Sequence, residues 1–273
     1  LEGLNLSSTG TSVRAVPAKG GLRVEHPAEG VRVLVLDRPE RRNSLDAEVL
    51  ARLADELERV RTDSGVRVLI LTGGNGVFSA GADFSQLENL SQLAESEVAE
   101  LLGKVMLVGE MLWALPQPTI AAIDGPAVGA GMSLALACDI RVGSRSMTLF
   151  PSFIRMGLLP DTGASWFLPR LIGEGAALQM FLAGRPVDAD SAQQLGLVNR
   201  LCDNAFSSAV ELAAMFAARP ATAVMATKRL LRDAARRDLA RAIELEGVMQ
   251  ATAIHGDEFA DTFSGWRMSR SAD

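Results

Sequence analysis

Tyrosine is absent from the 273 residues, and histidine and cysteine occur only twice each. No phenol can therefore act as acid or nucleophile. His26 lies in an expected hairpin and His255 close to a polar C-terminus, so both read as surface histidines. A histidine-rich metal site is excluded, and a Ser–His–Asp triad would have to recruit one of these two. Cys138 and Cys202 form neither a CxxC pair nor a disulfide framework, which points to a cytoplasmic protein. Lysine is scarce, with Lys19, Lys104 and Lys228 far apart, and acidic residues outnumber basic ones 33 to 27. A chain of net charge −6 without a basic block is a poor partner for nucleic acid. No apolar run reaches the roughly 18 residues that a membrane span requires. The first 21 residues are rich in Ser, Thr and Gly and lack an apolar segment, so they are expected to form a loose arm rather than a signal peptide.

What is present is apolar content. Hydrophobic residues make up 48% of the chain, enough for a sizeable core in one large domain or two small ones. Residues 22–25 and Val31–Leu36 read as a hairpin turning through Pro27 to Gly30. Asp46 can cap a helix reaching about Val60, with Val49, Leu50, Leu53, Leu57 and Val60 on one face. Residues 66–71 and Thr119–Ile123 are short and almost wholly apolar, as in strands buried on both faces. Between them the pattern predicts one long helix over residues 87–115, ended by Pro116 and Pro118. A further helix is predicted over 128–137, and short strands over 140–142 and Thr148–Phe150. Past Pro151 the periodicity is helical, over 163–168, 174–182, 189–195, 204–218, 221–234 and 238–254. The expected class is α/β with a helical C-terminal subdomain.

Two glycine-rich turns each follow a buried strand. One runs from Gly73 to Asp83 and the other from Asp124 to Gly131. Small residues let a ligand approach the backbone, and a turn that opens a helix leaves N–H groups unpaired. Two such turns side by side could aim two amides at one developing oxyanion, aided by the helix dipole. Neither turn has the spacing of a dinucleotide fingerprint, and no P-loop lysine is nearby.

In order along the chain, several segments resemble the crotonase (enoyl-CoA hydratase/isomerase) superfamily. They are residues 36–45 (Leu-Asp-Arg-Pro-Glu-Arg-Arg-Asn-Ser-Leu), 78–84 (Phe-Ser-Ala-Gly-Ala-Asp-Phe) and 118–139, then 157–173 and 184–198. The resemblance implies a ClpP-like spiral of ββα units over residues 22–200, and a helical trimerisation region over 201–273. It also implies an acyl-CoA thioester substrate, a homotrimer or dimer of trimers, and no cofactor beyond the coenzyme A of the substrate. No metal, nicotinamide or flavin is needed, because the thioester itself acidifies the α-proton. The family's oxyanion-binding amides carry over to Ala82 and Ala130. The second is usually glycine, and alanine adds a methyl beside the thioester. Adenine-side contacts carry over to Ala80 with Asp83 and Phe84, and the segment containing Arg38 and Arg42 is a candidate for CoA phosphates.

The departures from the family pattern bear on the reaction. Hydration needs water held between two carboxylates, and the two family glutamate positions read Ser133 and Phe153 here. Loss of one positioned acid–base group costs on the order of 10²–10⁴ in rate. The carboxylate expected near the pocket is Asp161, in a stretch resembling the phenylacetate-pathway enoyl-CoA isomerase branch, where an aspartate serves as base. One carboxylate suffices to shift a double bond. Pro-Asp-Thr-Gly also suits a turn and a helix N-cap, and the two roles are compatible. Ser133 and Phe153 are candidates for substrate contact, and Phe84, Phe150, Phe153, Trp166 and Phe167 for an aromatic acyl-pocket wall favouring a bulky acyl group. Asp139 is expected in an ion pair and Asp124 in a turn. The alternatives are a hydratase in name with little hydration, covalent attack by Asp161 as in aryl-CoA dehalogenases, and a silent acyl-CoA-binding protein.

Overall fold

The computed structural model describes residues 21–232, 236–256, 259–260 and 263–265. The expected N-terminal arm lies outside the described residues except for Gly21, as do Ala234 and the C-terminal tail with Trp266 and Arg267.

The chain opens with β1 (Leu22–Ala28) and β2 (Val31–Leu36), an antiparallel pair with a register shift between Glu25 and Ala28. Helix α1 (Ala47–Thr62) follows, its N-terminus capped by Asp46, whose Oδ1 accepts from Val49 N at 2.8 Å. This cap satisfies one of the amides a helix start leaves open. Strand β3 (Val68–Gly73) then leads through the first glycine-rich turn into α2 (Phe84–Leu90) and α3 (Glu95–Ala114). The single helix expected over 87–115 is thus two. Asp83 caps α2 three residues earlier than the apolar period suggested. The restart at α3 is held by Glu97, whose carboxylate accepts from Ala94 N at 3.0 Å.

Strands β4 (Thr119–Ile123) and β5 (Pro126–Val128) flank the second turn, before α4 (Ala130–Ala137), β6 (Ile140–Ser144) and β7 (Thr148–Phe150). Then come α5 (Ala164–Ile172), α6 (Glu174–Ala183), β8 (Val187–Asp188), α7 (Ala189–Gln194) and β9 (Arg200–Cys202). Helices α8 (Ala205–Ala217), α9 (Ala221–Arg232) and α10 (Arg236–Ile254) complete the order. Helix α5 continues through Pro169, where sequence places its end, and the Arg170 guanidinium lies 3.9 Å from the Trp166 ring across that turn. Residue 200, the expected limit of the spiral, opens β9.

Six strands form one sheet in the order β1-β2-β3-β4-β6-β9, parallel from β2 onward. A second sheet orders β5-β7-β8. From β4 to β7 consecutive strands alternate between the sheets, with β4 and β6 in the larger and β5 and β7 in the smaller. Side chains alternate across the larger sheet. Leu34, Leu36, Leu69, Leu71, Ala121 and Ile123 join the core that includes residues of α1, α3 and α4. Val33, Val35, Val68, Ile70 and Ile120 face Ala205, Ala209 and Ala213 of α8. Burial on both faces explains the apolar runs at 33–36 in β2, 68–71 in β3 and 120–123 in β4. Helix α10 packs along α3, which brings its inward face toward the segment before α5.

Candidate active site

The two glycine-rich turns are laced together. Phe78 N and Ser79 N donate to Pro126 O at 3.0 and 3.1 Å, and Val128 N donates to Ser79 O at 2.9 Å. Gly81 has φ +85°, and a Cβ on it would lie 2.6 Å from Val128 O and 3.6 Å from Ala130 N. No side chain other than hydrogen fits that approach. Ala82 bridges Leu45, but its neighbours make the bonds: Leu45 N donates to Gly81 O and Asp83 N to Leu45 O. The Ala82 amide is left out of that pairing. Ala130 is the first residue of α4, where helix geometry supplies no internal acceptor for its N–H. Ala82 and Ala130 line one cleft of about 1060 Å³, which also receives Ala80, Phe84, Phe153 and Asp161.

Asp161 is 8% exposed and lines both this cleft and an adjoining cavity of about 80 Å³ walled by Leu50, Leu87, Leu90, Leu102 and Met106. Burial raises its carboxyl to about 7, and the negative charge of Glu246 adds to the rise. Hydrogen bonds from Thr162 and Gln250 oppose it. Asp161 does not cap α5 with its side chain. The Gly163 and Ser165 amides donate instead to Glu246 of α10, at 2.7 and 3.1 Å.

Several expected contacts are corrected. Arg38 is an internal strut: its guanidinium pairs with Asp46 at 2.6 Å and donates to Ser44 O at 3.1 Å, and Arg41 and Arg42 face the cleft instead. Asp83 borders the cleft but is buried and committed to structure. It accepts from Ser85 N, Ser85 Oγ and Ser44 Oγ, and pairs with Arg38 and Arg41 at 3.7 Å. Burial pushes its carboxyl up, but the Ser85 and Ser44 hydrogen bonds and the Arg41 charge outweigh this and hold it below the usual carboxylate range. Ser133 is fully buried, and its hydroxyl donates to Gly129 O at 3.2 Å, so it does not reach the cleft. Phe84, Phe150 and Phe153 line the cleft, whereas Trp166 packs edge-on against Trp113 and Phe167 in the core.

Asp139 sits in the expected ion pair, with Arg232 at 2.5 Å and with Lys228 at 2.7 Å. Asp124 lies in the turn between β4 and β5, and its Oδ1 accepts from Ala205 N at the start of α8 at 3.4 Å. Sequence reasoning missed Arg155, which lines the cleft and lies 5.6 Å from the Phe150 ring. It also missed Glu246 and Gln250. The available signal was two polar residues on the same α10 stripe as the buried Leu239 and Ile243.

The sequence profile described as enoyl-CoA hydratase/isomerase matches residues 26–270. EchA12 of Mycobacterium tuberculosis is 43% identical over 185 residues, 65% of this chain and 64% of that protein. The chain thus spans just under two thirds of that relative's length. A protein of Arthrobacter sp. named 4-chlorobenzoyl coenzyme A dehalogenase-2 is 32% identical over 252 residues, 90% of each chain. A crystal structure of an enoyl-CoA hydratase/isomerase from Pseudoalteromonas atlantica T6c superposes with a TM-score of 0.82 at 29% identity, over 91% of this chain and 97% of that one. The chain belongs to the enoyl-CoA hydratase/isomerase family and has the crotonase fold.

Proposed function

We propose that the protein shifts a double bond in an enoyl-CoA thioester, with Asp161 as the base that carries the proton. The observation that supports this most strongly is one carboxylate, poised near neutrality, in the same cleft as the Ala82 and Ala130 amides. In this reading the Asp161 carboxylate removes the C2 proton of a 3-enoyl thioester. The electron pair moves onto the thioester oxygen, where the two amides stabilise it. Asp161 then returns the proton to C4, and the conjugated 2-enoyl thioester forms with no net gain or loss of atoms. A base near neutral pH is suited to both halves of the cycle.

Hydration would need a second acid–base group, and neither family position provides one. Ser133 is sealed in α4 and Phe153 places a ring in the cleft. The other carboxylates lining the cleft are Asp83, tied to arginines, and the exposed Glu40. Arg41, Arg42 and Arg155 offer positive charge for the CoA phosphates. Coenzyme A enters as part of the substrate, and the residues of the cleft complete the reaction without a further cofactor.

A second reading draws on the Arthrobacter relative, whose name specifies a dehalogenase acting on an aryl-CoA. Asp161 would then attack the ring carbon. A carboxyl raised to about 7 takes up and gives back a proton readily near neutral pH, which is what the base of a double-bond shift must do. Self-association in the cytoplasm, as a trimer or dimer of trimers, belongs to the same proposal. The exposed Leu230 and Leu231 of α9 and Leu178 and Leu182 of α6 support it.

The test is to add protein to a 3-enoyl-CoA and follow the ultraviolet rise of the conjugated product. Wild type should give the rise and Asp161→Asn should abolish it while retaining thioester binding. Binding without turnover by the wild type would favour the silent binder.

A further inference from the structure

Glu246 and Gln250 sit one turn apart on α10 and are 6% and 2% exposed. Buried polar side chains on an apolar stripe persist only with partners. Here the partners are one residue, Asp161, and the backbone on either side of it. Gln250 Oε1 accepts from Leu159 N at 2.9 Å, and its Nε2 donates to Leu159 O at 3.2 Å. On the far side, Glu246 accepts from Gly163 N at 2.7 Å and Ser165 N at 3.1 Å, and the Ser165 hydroxyl donates to the same carboxylate. Asp161 is the midpoint between Leu159 and Gly163.

The turn so held is strained. Thr162 has φ +53°, a left-handed conformation costly for a β-branched residue. Its carbonyl lies so close to α3 that a Cβ on Gly109 would stand 2.2 Å from it. Such a turn keeps its shape only where its surroundings over-determine it, and α10 and α3 do so from two sides.

We propose that Glu246 and Gln250 are positioning residues that clasp the backbone on either side of Asp161 and hold its carboxyl in the cleft. The proposal rests on the reading of Asp161 as the base. It explains why two polar side chains of the C-terminal helix are spent on one short turn. It also assigns the C-terminal helix a part in the reaction although neither Glu246 nor Ser165 lines the cleft.

The two clasps act on the proton affinity of Asp161 in opposite directions. The Glu246 charge raises it and the Gln250 hydrogen bond lowers it. Glu246 is itself pushed up by burial, against the three hydrogen bonds it accepts. The other charged groups along the cleft wall are Glu40, Arg41, Arg42, Asp83 and Arg155. Helices α3 and α4 contribute only Leu102, Val105, Met106 and Ala130 to the two cavities.

The test follows the Asp161 carboxyl by 13C NMR in the full chain, with Asp161→Asn identifying its resonance, alongside kcat and KM on a 3-enoyl-CoA. Glu246→Gln should lower the titration midpoint and Gln250→Leu should raise it. Each should cut kcat by roughly tenfold or more with KM within about twofold, as expected for a displaced catalytic group. Ser165→Ala keeps the charge and removes one bond, so it should lower kcat with the midpoint nearly unmoved, and it serves if Glu246→Gln does not fold. Midpoint shifts of opposite sign in a wild type that moves no double bond would uphold the clasp and remove the base assignment. Wild-type midpoints and kcat in the folded variants, or a rise in KM alone, would overturn the clasp.

Discussion

Gly125 and Gly76 meet so closely that a Cβ on Gly125 would lie 1.9 Å from the Gly76 carbonyl oxygen. This approach joins the turn after β4 to the turn after β3, and so sets the spacing of the amides those turns carry. Gly125 also has φ +80°, where an L side chain is strained. Gly125→Ala should therefore cost on the order of 1–3 kcal/mol or more of stability. In the folded fraction kcat should fall further than KM rises if the Ala82 and Ala130 amides hold the thioester oxygen as proposed, because the two turns separate. Urea unfolding and steady-state kinetics on the same preparation measure both effects.

Asp161 predicts the acid limb of the pH profile. The base must be ionised to take a proton, so kcat/KM should rise with pH through a midpoint near 7. An ordinary aspartate would give a limb near 4. Rates measured between pH 5 and 9 distinguish the two.

The same carboxyl makes a stability prediction with the opposite trend. Its folded value is raised above the unfolded one, so its contribution is fully present below about pH 4 and is lost as pH rises through about 7. Asp161→Asn should then be more stable than wild type at pH 8, by on the order of 2–4 kcal/mol. The difference should vanish near pH 4. Thermal unfolding across that range reads the sign directly.

Arg38 and Arg42 should separate cleanly. Arg42 faces the cleft, so Arg42→Ala should raise KM several-fold, more so at low salt, with little change in stability. Arg38 is spent on Asp46, Ser44 O and Asp83, so Arg38→Ala should lower stability by about 1–3 kcal/mol. KM titrations at two ionic strengths and urea midpoints check the pair.

The parts of the site legible in sequence were local ones. The glycine turns announce themselves because strand, small residues and helix start are contiguous, whereas the choice of Ala82 and Ala130 within them came from the resemblance to the family. Asp161 was singled out by the family register, since its local sequence alone reads equally as a turn and helix cap. Arg38 and Ser133 were misread because their partners fix their roles, and for Asp83 the place at the cleft was legible but the partners that take up its carboxylate were not. Asp83 is taken up by Ser44, 39 positions away, and that bond has no signature in the sequence around either residue. Glu246 reaches Gly163 across 83 positions, and only the packing of α10 along α3 brings them together. The helix break between α2 and α3 was hidden for another reason. The apolar period runs on through it, while the caps at Asp83 and Ala94 decide where the helices start.

The most direct test of the central claim is the fate of the proton at C2. A 3-enoyl-CoA deuterated at C2 should yield a conjugated 2-enoyl-CoA that carries part of the label at C4, because one buried carboxylate both removes and returns it. The Asp161→Asn protein should give no product. Formation of a 3-hydroxyacyl-CoA in place of the shifted alkene, or the same deuterium transfer by Asp161→Asn, would contradict the account.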